Sequence, residues 1–98
     1  IAMADLGSVG KITTKQVYFY GGVISGVVLD SLSSPAAHLV RASERDSNIH
    51  SGGTVSNPVT GEYTLYTSII FIGKPHVVHE IDPTKTENAR VFDNVIPI

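Results

Sequence analysis

The chain has 98 residues and a mass of 10.4 kDa, enough for one small domain or for a domain with an arm. Hydrophobic residues make up 42% and charged residues 16%, too apolar and too sparsely charged a balance for a disordered segment. A net charge of −2 argues against a phosphate-gripping nucleic-acid binder, and the absence of cysteine excludes disulfide scaffolds, Cys-ligated zinc, iron–sulfur clusters and thiol nucleophiles.

The first residues, Ile1-Ala2-Met3-Ala4-Asp5, lack the basic and apolar regions of a signal peptide. Residues 1–22 read as an N-terminal arm or added strand, set apart from a domain over residues 23–98. Within the arm, Val17-Tyr18-Phe19-Tyr20 places three of the chain's seven aromatics in succession. Successive side chains of a strand point to opposite faces, so the three cannot all enter one core. At least one is expected to be exposed or covered by a partner.

Beyond the arm the composition is that of strands. Valine (12), isoleucine (10) and threonine (8) give 30 β-branched residues in 98, and no apolar pattern holds a helical period for three turns. Val23–Asp30 is a predicted strand, with Gly26 a bulge or a point of close approach. Asp30–Pro35 is a loop. His38–Arg45 alternates, with Val40 and Ala42 toward the core and Arg41 and Arg45 toward water. After the turn Asp46-Ser47-Asn48, Ile49–Ser56 is a weaker, glycine-broken strand suited to a sheet edge.

Asn57-Pro58-Val59-Thr60-Gly61 is the clearest turn signal in the chain. Glu62–Thr67 follows as a strand with Tyr63 and Leu65 on one face and Thr64 and Tyr66 on the other. Tyr63 is expected to be a core or corner tyrosine whose hydroxyl reaches backbone. Ile69–Ile72 either continues that strand past a kink or forms a short strand of its own. No apolar run exceeds its four residues, against the roughly 20 that cross a bilayer. Gly73-Lys74-Pro75 turns the chain, His76–Ile81 is a strand, Asp82–Asn88 a polar loop, and Ala89–Val95 the last strand. Six or seven strands at this spacing indicate an all-β protein, an antiparallel β-sandwich.

The order of residues carries a resemblance. Ile24-Ser25-Gly26-Val27-Val28, Asp30, Pro35-Ala36, Val40-Arg41-Ala42 and Thr60-Gly61-Glu62-Tyr63-Thr64-Leu65 resemble the carboxypeptidase regulatory-like, or transthyretin-like, β-sandwich family. Glu87-Asn88-Ala89-Arg90-Val91-Phe92-Asp93-Asn94-Val95-Ile96-Pro97 is similar to the ending of a version found in structural proteins of tailed bacteriophages. The resemblance runs from Ile24 to Pro97 and implies a Greek-key sandwich of about seven strands, transthyretin-like or immunoglobulin-like. Two departures stand out. Leu32-Ser33-Ser34 replaces a glycine-containing turn, and Ile69-Ile70-Phe71-Ile72 is more apolar than the usual connection, as expected of a covered surface.

No catalytic constellation accompanies the strands. His76 and His79 lie three apart on one strand and so point to opposite faces, while His38 and His50 sit on other elements. There is no Gly-x-Ser-x-Gly elbow, no phosphate-binding glycine loop and no pair of carboxylates on one strand face. The zinc motif of the peptidase that lends the family its name is missing as well. The expectation is therefore a non-enzymatic structural module with no cofactor and no metal.

Resemblance and residues together point to a virion protein that forms homo-oligomers and contacts other virion proteins. Candidate interface residues are Tyr18, Phe19 and Tyr20 of the arm with Ile70, Phe71 and Ile72. The alternative is a carbohydrate- or receptor-binding module of a phage or bacterial surface. It would contact a host glycan through the loops Ser31–Ser34, Asp46–Asn48 and Asn57–Thr60, none of which offers an aromatic platform.

Overall fold

Six strands supply almost all the regular structure of residues 20–98, the part of the chain that the computed structural model describes. They are β1 (Gly22–Val27), β2 (Leu39–Glu44), β3 (His50–Val55), β4 (Glu62–Thr67), β5 (His76–Ile81) and β6 (Arg90–Val95). All pairings are antiparallel: β1 pairs with β4 in one sheet, and a second sheet has the order β3-β2-β5-β6. The chain is all-β, as its β-branched composition requires. Tyr18 and Phe19 lie outside the described residues.

One apolar core draws on both sheets. Ile24 of β1 and Leu65 of β4 meet Val40 and Ala42 of β2 and Val78 of β5, with Val28 beside them. The alternation read from the sequence sets this up. Val40 and Ala42 are buried while Arg41 faces water, and Leu65 is buried while Thr64 and Tyr66 are exposed. Complete burial of each such aliphatic side chain stabilises the fold by about 1.5–3 kcal/mol.

The turns are held by short polar side chains. Asn57 Oδ1 accepts from the amides of Val59 (2.7 Å) and Thr60 (3.1 Å), and Gly61 closes the turn at φ +78°, a region that strains a residue with a Cβ. Where the resemblance leads one to expect a glycine after Asp30, the Asp30 carboxylate instead accepts from the amides of Leu32 (2.8 Å) and Ser34 (2.9 Å), with Ser33 at φ +65°. An aspartate thus substitutes hydrogen bonds for glycine's freedom.

Two expectations need correction, and a third resolves to one of its alternatives. The first strand spans Gly22–Val27 rather than Val23–Asp30, because Asp30 leaves the ladder to make its turn; Leu29 keeps only an isolated bridge to Pro35. Ile69–Ile72 is no strand. Ile69–Phe71 forms a single 3-10 turn, with the Phe71 amide donating to Ser68 O and the Ile72 amide to Ile69 O. Four apolar residues without a partner strand satisfy their backbone locally instead. Gly26 is a point of close approach and no bulge, since a Cβ there would lie 2.6 Å from the Tyr63 hydroxyl.

The sheets approach each other unequally. Along β3 and β4 they close, because Gly52 lacks the Cβ that would collide with the Tyr66 carbonyl. On the opposite side β1 and β6 stand apart. The last residues partly span that gap: Ile98 and Val23 exchange both backbone hydrogen bonds, at 2.8 and 3.0 Å.

Candidate functional site

At the end of the molecule where β4 meets the 3-10 turn, large apolar side chains face water. Ile70 is 70% exposed, Ile72 64%, Tyr66 55%, and Ile69 and Tyr20 close to half. The Tyr20 and Tyr66 rings meet edge to face with centroids 4.8 Å apart, and the Gly21 backbone packs against Ser68 and Ile72. The patch therefore runs from the start of β1 across the end of β4 to the turn. Of the expected interface residues, Tyr20, Ile70 and Ile72 share this apolar tip. Phe71 is half-buried, its ring edge-on to His76 at 6.3 Å.

A buried polar clasp holds the tip in place. His76, fully buried at the start of β5, bonds through Nδ1 to the Lys74 carbonyl at 2.7 Å and through Nε2 to Ser51 Oγ at 2.8 Å. A carbonyl can only accept, so Nδ1 carries the proton, and in the neutral imidazole the Ser51 hydroxyl donates to Nε2. The Ser51 oxygen in turn accepts from the Ser68 amide at 2.9 Å. One hydroxyl thus joins β3, β5 and the corner that launches the 3-10 turn. Serine and histidine sit at the distance a nucleophile and its base would need. Here both are buried and the oxygen already has a second partner, which is the arrangement of a structural clasp.

On the open side of the molecule lies a cleft of about 320 Å³ between β1 and the β5–β6 pair. Ile24, Val78, Val95 and Phe92 make its apolar walls, and Tyr63 and Glu80 face into it. Glu80 is only 4% exposed as a residue and forms no ion pair among the described residues. Burial holds that carboxyl above the usual carboxylate range, opposed by the charges of Arg90 and His38. Burial and the adjacent Glu80 charge raise the Tyr63 phenol in the same way. The expected backbone bond of the Tyr63 hydroxyl is not made among the described residues; the ring lies under Gly26 instead.

Two further carboxylates hold loops. Asp82 accepts four hydrogen bonds, from the Thr84 hydroxyl (2.7 Å) and the amides of Thr84, Thr86 and Glu87 (2.9–3.1 Å). The Thr84 bonds lead in holding its pKa down at about 2. Glu44 caps the 45–48 turn through the amides of Ser47 and Asp46, and bonds from Ser47 lower its pKa first. Arg45 bonds Asp93 across the surface at 2.8 Å. The histidines do not converge: His76 is buried and His79 half-buried on β5, His38 is buried just before β2, and His50 is exposed at the start of β3. Among the described residues no three His, Asp or Glu side chains gather as metal ligands.

No protein-family model, curated protein sequence or solved structure matches the chain.

Proposed function

We propose that this chain is a non-catalytic structural module of a tailed-phage virion, acting through protein–protein assembly contacts. In this reading the two sheets form a transthyretin-like Greek-key β-sandwich whose described strands are completed by a partner or by the arm. The observation that carries it is the apolar tip. Tyr20, Tyr66, Ile69, Ile70 and Ile72 expose a continuous apolar surface over the Ser51–His76 clasp, which fixes its shape. Exposed apolar surface of this kind, on a rigid base, marks a contact with another protein. The placement in a virion rests on the resemblance of residues 87–97 to the ending of phage structural modules.

A glycan-binding reading would have to use the exposed pair Tyr20 and Tyr66. Their planes stand at 62°, so they offer an edge beside a face and no flat platform for a sugar ring. Assembly is the reading the geometry favours.

Light scattering on the full chain tests it. The expected result is a mass several times 10.4 kDa at high micromolar concentration, falling toward the monomer in the variant Ile70→Asp/Ile72→Asp. Both positions are well exposed, so the charges leave the core intact. A wild-type chain that stays monomeric throughout would defeat the proposal.

A further inference from the structure

The corner that carries the apolar tip is fastened to the sheets at one place. Most of its hydrogen bonds close on themselves: the Phe71 amide donates to Ser68 O, the Ile72 amide to Ile69 O and the Lys74 amide to Phe71 O. Among the described residues, two bonds tie residues 68–74 to the rest of the fold. The Ser68 amide donates to Ser51 Oγ, and the Lys74 carbonyl accepts from His76 Nδ1. Both end on the Ser51–His76 pair, whose own bond joins Oγ and Nε2 at 2.8 Å.

The ring at the centre of this fastening has two charge states, and only one suits its surroundings. His76 is completely buried, and with Nδ1–H committed to the Lys74 carbonyl, Nε2 of the neutral ring accepts from the Ser51 hydroxyl. A second proton, on Nε2, takes that acceptor away. Ser51 Oγ then has to receive both Nε2–H and the Ser68 amide, its own proton has no acceptor among the described residues, and a full charge sits out of water. Little nearby answers that charge. Glu44 lies opposite His76 on β2, but its carboxylate is taken by the amides of Asp46 and Ser47 and is offset by the Lys74 charge. Val95 on β6, Ser51 on β3 and Phe71 on the 3-10 turn carry no charge, and Arg45 and Asp93 are paired with each other at the surface.

We infer that His76 is a proton-sensitive latch for the apolar tip. Neutral, it holds Ser51 and through it Ser68, so that Ile70 and Ile72 are presented in a fixed shape. Protonated, it gives up Ser51 and turns its charge toward water, and residues 68–74 loosen from the sheets. Histidine is the side chain whose charge changes most readily between pH 5 and 8, so mild acid is the signal such a latch reads. The inference adds regulation to the assembly reading above and rests on it for one consequence: association weakens as the latch opens.

Nuclear magnetic resonance of the full chain tests the latch. Long-range ¹H–¹⁵N correlation in steps from about pH 8 to about pH 5 reads the charge and tautomer of the His76 ring, and the amides of Ser68–Gly73 read the corner. The expected result is a ring protonated on Nδ1 alone at the upper end, with corner amides that move at the same midpoint as the ring. Exchange of the Ser68 amide, corrected for the intrinsic effect of pH, should speed up by roughly tenfold below that midpoint, the effect of losing one hydrogen bond. In Ser51→Ala the corner amides should no longer follow pH; if that variant fails to fold, the wild-type midpoints decide alone. His50→Gln, at an exposed position, should leave the coupled change in place. A ring that keeps one charge state across the range, or one that takes up its proton while the corner amides stay still, would overturn the latch. Light scattering on the same samples separates the two claims. The mass should fall as the corner opens, and a mass that holds would overturn the link to assembly. Ring and corner moving together in a chain that is monomeric at every pH would keep the latch and defeat the assembly reading.

Discussion

Replacing Ser51 with alanine removes one oxygen and leaves two buried groups without a partner. Nε2 of His76, completely buried, loses its only donor, and the Ser68 amide loses its acceptor. Each orphaned group costs about 1–2 kcal/mol, so the substitution is expected to destabilise the fold by about 3 kcal/mol. For a domain of this size total stability is roughly 5–10 kcal/mol, and such a loss lowers the melting temperature by roughly 12–24 °C. Urea unfolding followed by far-ultraviolet circular dichroism, with a parallel thermal scan, measures both quantities. The companion variant Ser51→Ala/His76→Phe separates the clasp from simple packing. With the ring nitrogen gone as well, the double variant should recover part of the loss, because it leaves the Ser68 amide and the part-buried Lys74 carbonyl unpaired but no buried imidazole nitrogen. A loss below about 1 kcal/mol for Ser51→Ala, or strictly additive effects in the double variant, would refute the clasp.

Leu65→Ala opens a cavity where the two sheets meet, and is expected to cost about 3 kcal/mol, measured by the same urea series. Gly52→Ala forces a Cβ against the Tyr66 carbonyl, and should lower stability by about 2 kcal/mol or more while a nearby Gly53→Ala costs less. Acid unfolding should report Asp82. Its folded pKa lies below the unfolded 3.8, so its contribution is present above that value and is lost as pH falls through about 2; Asp82→Asn should flatten this part of the profile. Glu80 has the opposite sign. Its folded pKa is raised, so its contribution is complete below 4.5 and is lost as pH rises through the folded value. Urea midpoints across pH 4–8 should therefore fall for the wild type relative to Glu80→Gln.

Much of the fold was legible because it depends on period-two patterning and turn chemistry. Glu62–Thr67 and His76–Ile81 lie where alternation places them, and Asn57–Gly61 turns as its side chains dictate. The site was legible only in part. In His76-Val77-Val78-His79-Glu80-Ile81, the burial of Val78 already implies the burial of His76 and Glu80 on the same face. That signal was available, but an imidazole and a carboxylate read as surface groups until the core is located. The partner of His76 was not legible at all. Ser51 lies 25 residues away on a glycine-broken edge strand, and only the register of β3 against β2 brings it to β5. The Ile69–Phe71 turn was misread because a β-branched apolar run favours a strand only where another strand offers an edge, which is a tertiary condition. The cleft likewise comes from the unequal approach of two sheets, a property of their packing rather than of either sheet's pattern.

Hydrogen–deuterium exchange of the full chain at low and high micromolar concentration tests the central claim most directly, because it reads the apolar tip itself. Assembly predicts that the amides of Ile70–Ile72 exchange more slowly as concentration rises, while the Asp82–Asn88 loop stays unchanged. Exchange at the apolar tip that is the same at both concentrations would contradict it.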